Sequence, residues 1–209
     1  MPKIILFFVF VSFAILAFFA KNTPYFFFDP PLTKFFQSFQ IFFGFDFLMK
    51  FMTLVGDIKP ASLILVILVV LFGLFRLWRE GIILFLSVFG AAVLTTVLKE
   101  LVARSRPDPN LILQIGHIEN GYSFPSGHVL TSMGLYGFLL FLTFTKLKKG
   151  NLRTILISVL MLFLILMGLS RIYLGAHWFS DTLGSYLLGM IWLFTVVQIY
   201  QKWTKPKAQ

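Results

Sequence analysis

The chain has 209 residues, of which 58% are hydrophobic and 12% charged, against about 25% charged in ordinary soluble domains. Its 28 phenylalanines and formal net charge of +10 accompany a complete lack of cysteine, which excludes disulfides, thiolate metal sites and thiol redox chemistry. The basic residues form neither a single basic face nor a long basic tail, so no nucleic-acid partner is indicated. This is the composition of an integral membrane protein, most of it consumed by spans of about 20 residues.

Lys3 precedes an uncharged run from Ile4 to Ala20, the length of a signal-peptide core or a short first span. Cleavage after Ala20 would put bulky Phe18 where a small residue is required, which predicts an uncleaved helix with a cytoplasmic N-terminus. Pro24, Pro30 and Pro31 then interrupt any continuous helix. Between Leu32 and Leu54, Phe35, Phe36, Phe39, Phe42, Phe43 and Phe47 recur at three-and-four spacing with Lys34, Gln37, Gln40 and Asp46 between them. This pattern predicts an amphipathic helix, lying in the interface plane beside the site or packed on neighbouring spans. Further spans are predicted over Ala61–Trp78, Gly81–Leu98, Pro125–Thr145, Thr154–Leu169 and Asp181–Tyr200.

The expected fold class is therefore all-α: a polytopic membrane helical bundle with about six transmembrane helices and an amphipathic helical segment in the first outer loop. Residues 1–209 form a single integral-membrane domain. Alternating the spans gathers Lys3, Arg76, Arg79, Lys146, Lys148, Lys149, Arg153, Lys202, Lys205 and Lys207 on one side with Glu80 as the lone acid. The positive-inside rule makes that side cytoplasmic. The predicted location is the cell membrane, multi-pass, with the site on the non-cytoplasmic face.

Two polar connections, Lys99–Phe124 and Ser170–Asp181, fall together on the opposite side and can build one site. Arg106 and Arg171 offer planar forks that match phosphate oxygens, and Lys99 adds a point charge. Pro125 suits the first turn of a helix, whose early N–H groups at Gly127 and His128 would face an anion, with Ser126 beside them. His177 and Asp181 are four apart, so on a helix the carboxylate would accept a hydrogen bond from one imidazole N–H and leave the lone pair of the other nitrogen as a nucleophile. His128 can protonate the leaving oxygen and then activate water against the phosphohistidine. The fixed cations supply the charge stabilisation that a metal supplies elsewhere, so neither a metal ion nor a cofactor is required. Taken singly, each feature has a plainer reading: Lys99 and Arg106 as a snorkelling helix end, Pro-Ser-Gly as a cap turn, Asp181 as a helix-capping aspartate. His117 and Arg104 lie outside the constellation, and His117 reads as a loop histidine.

The three stretches, K-x6-R-P from Lys99, P-S-G-H from Pro125 and S-R-x5-H-x3-D from Ser170, resemble the three-part signature of the type 2 phosphatidic acid phosphatase superfamily at every motif position. Thr53, Leu54, Gly56 and Asp57 are similar to a weaker T-x-x-G pattern in bacterial members. The resemblance implies a lipid phosphatase with Lys99, Arg106, Ser126, Gly127 and Arg171 binding phosphate, His128 as acid, and His177 as the phosphorylated nucleophile oriented by Asp181. Its partner would be a lipid phosphate in the membrane, entering laterally past Phe35–Phe47. A lipid phosphotransferase with the same residues, or a non-catalytic lipid-phosphate binding or transport protein, are the competing readings. The intact pair of His177 and Asp181 speaks against pure binding.

Overall fold

The computed structural model describes residues 3–116, 118 and 120–205. Every regular element among them is helical: α1 (Lys3–Asn22), α2 (Asp29–Gln37), α3 (Phe43–Gly56), α4 (Ile58–Leu74), α5 (Trp78–Val102), α6 (Gly127–Ser132), α7 (Phe138–Lys146), α8 (Asn151–Tyr173) and α9 (Phe179–Thr204). A π-helical turn at Met133–Gly137 joins α6 to α7, making one span over Gly127–Lys146. Among the described residues five helices are long and apolar enough to cross a membrane, and α4 is a shorter apolar helix of 17 residues. The span predicted over Ala61–Trp78 ends early, at Leu74, whereas α5, α8 and α9 run a few residues past both predicted ends, because backbone hydrogen bonding continues beyond the apolar run.

Surface exposure is inverted relative to a soluble protein. Phe7, Phe8, Ile67, Val70, Phe85 and Ile155 all point outward, the arrangement expected where lipid is the solvent. The interior is correspondingly rich in close approaches. Gly134 lies against the backbone of α5, where a Cβ would come 2.8 Å from the Ser87 carbonyl oxygen. Ser87 Oγ also donates to the Gly134 carbonyl at 2.9 Å, within the π-turn.

The predicted amphipathic helix is broken in two. A 3-10 turn at Ser38–Ile41 separates α2 from α3, which are inclined by 120°. The polar face is the buried one: Asp29, Thr33 and Gln37 point inward while Phe35, Phe42, Phe43 and Phe47 are exposed. Gln37 explains the inversion, since its amide donates to the carbonyls of Leu113 (2.7 Å) and Tyr173 (3.0 Å) and accepts from the Leu113 N–H. In lipid the phenylalanines need no cover, whereas the backbone groups at Leu113 and Tyr173 need partners.

At the opposite end of the bundle, Glu80 at the start of α5 is buried, accepts from the Tyr200 hydroxyl at 2.6 Å and lies 3.3 Å from Lys146. With its 25 residues, α5 separates these two ends by about 37 Å.

Candidate active site

Three local devices bring the motif residues to one end of the bundle. Helix α5 carries Lys99 in its last turn and ends at Ala103, whose left-handed backbone (φ 53°) turns the chain so that Arg104 is buried. Helix α6 begins at Gly127 with Ser126 at its N-cap, so Pro125 precedes the cap rather than opening the first turn. After α8, a tight turn at Gly175 (φ 68°) sends the N–H groups of Ala176 and His177 back to the Arg171 carbonyl. A Cβ at Gly175 would run into the Leu113 carbonyl oxygen, so the turn that presents His177 needs a residue without one.

His177 is 2% exposed. Its Nδ1 lies 2.7 Å from the Ser123 carbonyl oxygen, a contact that fixes the proton on Nδ1 and leaves the lone pair on Nε2. The expected hydrogen bond to Asp181 is therefore taken by the backbone, with Asp181 Oδ2 at 3.8 Å. The reason is that His177 precedes α9, so the two residues do not share a helical face. Asp181 instead caps the helix, accepting from the Trp178 N–H at 2.9 Å, and also accepts from Ser123 Oγ and Arg104 Nη1. It acts on His177 through Ser123 and through its charge. Burial, opposed by Asp181 and reinforced by Arg171 and Arg106, pushes the His177 imidazole from its ordinary 6.5 down to about 3, so the ring is neutral at physiological pH.

Arg104 and Asp29 are the residues that the motif reading missed. The Arg104 side chain is completely buried and spans Asp181, Ser180 Oγ (2.7 Å) and Asp29 Oδ2 (3.1 Å), with the Phe26 ring 5.2 Å from its guanidinium. Asp29 further accepts from the Ser180 N–H (2.9 Å) and hydroxyl (2.7 Å), tying the start of α2 to the start of α9. A signal did exist: Arg104 lies inside the same polar stretch as Lys99 and Arg106, and a second arginine beside a spaced motif needs its own acid.

The remaining motif residues converge as expected. Arg106 Nη1 donates to the Ala176 carbonyl at 3.0 Å, next to His177. Arg171, 3% exposed, donates to Thr53 Oγ1 at 3.3 Å, which brings the T-x-x-G segment into the site. His128 Nε2 is 2.9 Å from Asp57 Oδ1 in the same segment. Ser126 Oγ is buried without a hydrogen-bond partner among the described residues, while its N–H donates to Ser185 Oγ at 2.7 Å. Glu100 faces outward, away from Lys99. Position 117 lies outside the described residues.

A cavity of about 300 Å³ has Lys99, Gly127, His128 and His177 on its polar wall, while Arg106, Ser126 and Arg171 lie outside its lining. Its apolar wall comes from Ile58, Ala61 and Leu65 of α4 and Val88 and Ala92 of α5. Ser62, Ala92 and Thr96 on its rim are exposed, so the slot opens between α4 and α5. None of residues 35–47 lines it.

Residues 80–205 match the PAP2 superfamily, more than half of the chain. The chain belongs to the PAP2 superfamily. Among curated PAP2-like proteins it is similar to phosphatidylglycerophosphatase B of Bacillus subtilis, 32% identical over 158 residues that cover 71% of this chain and 73% of the relative. It is also similar to undecaprenyl-diphosphatase of Sulfolobus acidocaldarius, 33% identical over 129 residues covering 59% and 57%. The crystal structure of the transmembrane PAP2 type phosphatidylglycerolphosphate phosphatase from Bacillus subtilis superposes with a TM-score of 0.77 at 24% identity, covering 97% of this chain and 98% of that one. The crystal structure of Aquifex aeolicus LpxE gives 0.67 at 21% identity, over 83% and 96%. These superpositions show that the PAP2 membrane fold extends over the α1–α4 segment that the family match leaves out.

Proposed function

We propose that the protein is a lipid phosphatase that hydrolyses a terminal phosphate from a lipid phosphate or diphosphate through a phosphohistidine, with its site at the outer face of the cell membrane. The observation that carries this reading is the cavity, in which a wall bearing Lys99, His128 and His177 runs directly into an apolar slot between α4 and α5. Such a cleft fits a phosphate on an apolar tail better than a free phosphate. The names of the curated relatives, a phosphatidylglycerophosphatase and an undecaprenyl-diphosphatase, point to the same substrate class.

In this mechanism Lys99, Arg106 and Arg171 hold the phosphoryl oxygens, joined by Ser126 Oγ and the N–H groups of Gly127 and His128. His177 Nε2 attacks phosphorus while Nδ1 stays hydrogen-bonded to Ser123, and the imidazolium charge that develops is balanced by Asp181 at 3.8 Å. His128 gives its proton to the departing lipid oxygen. It then takes one from the water that hydrolyses the phosphohistidine, restoring both histidines.

The test is phosphate release by purified protein from phosphatidic acid, phosphatidylglycerophosphate and undecaprenyl diphosphate, with glycerol phosphate as the tail-less control. Release from at least one lipid and far less from the control is expected; equal release from glycerol phosphate removes the role of the slot. Sidedness is read from cysteines placed in the cysteine-free chain. A membrane-impermeant thiol reagent on intact cells should label Asn120→Cys and spare Asn151→Cys, and the reverse pattern would move the chemistry to the cytoplasm.

A further inference from the structure

We propose that Asp57 is a positioning residue for the proton-transfer step: it holds Nε2 of His128, so that the proton passes to and from substrate through Nδ1. The inference rests on the reading of His128 as the acid and base of a phosphatase. The geometry is direct, with Asp57 Oδ1 2.9 Å from His128 Nε2, the imidazole buried and the carboxylate half-exposed.

Two features show that this contact is built rather than incidental. Asp57 is the N-cap of α4, where an aspartate ordinarily accepts from its own helix's first N–H groups. Here the side chain makes no capping bond and turns to His128 instead. Gly56 lets the end of α3 come close enough for this, because a Cβ at that position would lie 2.9 Å from His128 Cδ2 and 2.8 Å from the Met167 side chain.

Charge supplies the need for such a partner. The groups that bear on His128 are Arg171 from α8, Lys99 from α5 and Arg106 from the outer connection, with neutral His177 on the same cavity wall. A general acid must carry a proton before it can give one, and a carboxylate in contact favours the imidazolium against burial of the ring and the three cations. An imidazole has two nitrogens. With Nε2–H committed to Asp57, Nδ1 is the one left to work.

The steps then balance. His128 starts as imidazolium and delivers its Nδ1 proton to the lipid oxygen as the P–O bond breaks and the His177 N–P bond forms. It is left neutral, with its proton on Nε2 toward Asp57. In the second step the Nδ1 lone pair takes a proton from water as the new P–O bond forms and the N–P bond breaks.

The test is nuclear magnetic resonance of the full-length protein with ¹⁵N-labelled histidine, the His128 signals being assigned by their loss in His128→Gln. Neutral His128 should be the Nε2–H tautomer, and its protonation midpoint should fall by about one pH unit or more in Asp57→Asn while Asp57→Glu retains it. Asparagine is itself a good N-cap, so α4 keeps its start. An Nδ1–H tautomer in the wild type, or an unchanged midpoint in Asp57→Asn, overturns the proposal. Because these spectra need no turnover, they are independent of the lipid panel, whose failure would instead remove the phosphatase reading. Under turnover, kcat/KM for the lipid substrate should fall about tenfold or more in Asp57→Asn. Its alkaline limb should move to lower pH, and a uniform loss with the limb in place would mean a merely structural role.

Discussion

The two ends of the bundle handle charge in opposite ways. At the end that carries the start of α5, Glu80 meets one tyrosine and one half-exposed lysine, and the basic side chains around it are exposed. At the other end, Asp29, Arg104 and Asp181 are removed from solvent altogether and locked to Ser123 and Ser180. Glu80 is buried, but its cation partner is half-exposed, and an ion pair open to solvent on one side positions little. A buried ion cluster is costly to assemble, but it holds its members in one arrangement. The comparison teaches that the site end gives up solvation to fix the Ser123 carbonyl, and with it the ring of His177.

The strongest way to sharpen that contrast is to remove the group the network serves. His177→Ala should abolish lipid phosphate release, a loss of at least about 10³-fold, while leaving the chain folded; release at the wild-type rate would sink the mechanism. Next comes the network's hub. Arg104→Met leaves two buried carboxylates without their cation, which should cost roughly 3–5 kcal/mol, read as a large fall in melting temperature in detergent. Arg104→Lys should recover only part of this, since a single ammonium cannot reproduce the fork that spans Asp29, Ser180 and Asp181. Asp181→Asn keeps the nucleophile and the Ser123 carbonyl, so its activity should fall less than that of His177→Ala, by about 10–100-fold.

A pH series probes the same burial. The folded-state value of His177 lies below its ordinary 6.5, near 3, so the unfolded chain binds the extra proton first as pH drops. The contribution of His177 to stability is complete above about 6.5 and is lost as pH falls toward 3. Melting temperature should therefore decline less steeply below pH 6.5 in His177→Gln than in the wild type; parallel curves would mean that the ring is not held neutral by the fold. The smallest effect is expected at the other end. Glu80→Gln preserves an acceptor for Tyr200 and should change stability by about 1 kcal/mol or less and activity hardly at all; a loss as large as that of Arg104→Met would erase the distinction between the ends.

Much of this was legible before folding. Long apolar runs marked where the helices would lie, because lipid leaves a helix no other way to pair its backbone. The spacing of Lys99, Arg106, Ser126, Gly127, His128, Arg171, His177 and Asp181 put the candidate site residues together at one end of the bundle. Three matters depended on how helices meet. The Phe-rich segment turned its polar face inward because Gln37 and Asp29 answer backbone groups that are distant in sequence. Asp181 reached His177 through Ser123 rather than directly, because α9 begins at Phe179, two residues after His177, so the two do not share a face. The slot opened between α4 and α5, where small residues leave room beside the site. Sequence determined which groups are present and on which end, because that follows from the cost of charge in lipid. Only the tertiary structure decided which donor meets which acceptor, because hydrogen bonds act over about 3 Å and that distance is set by packing between segments far apart in the chain.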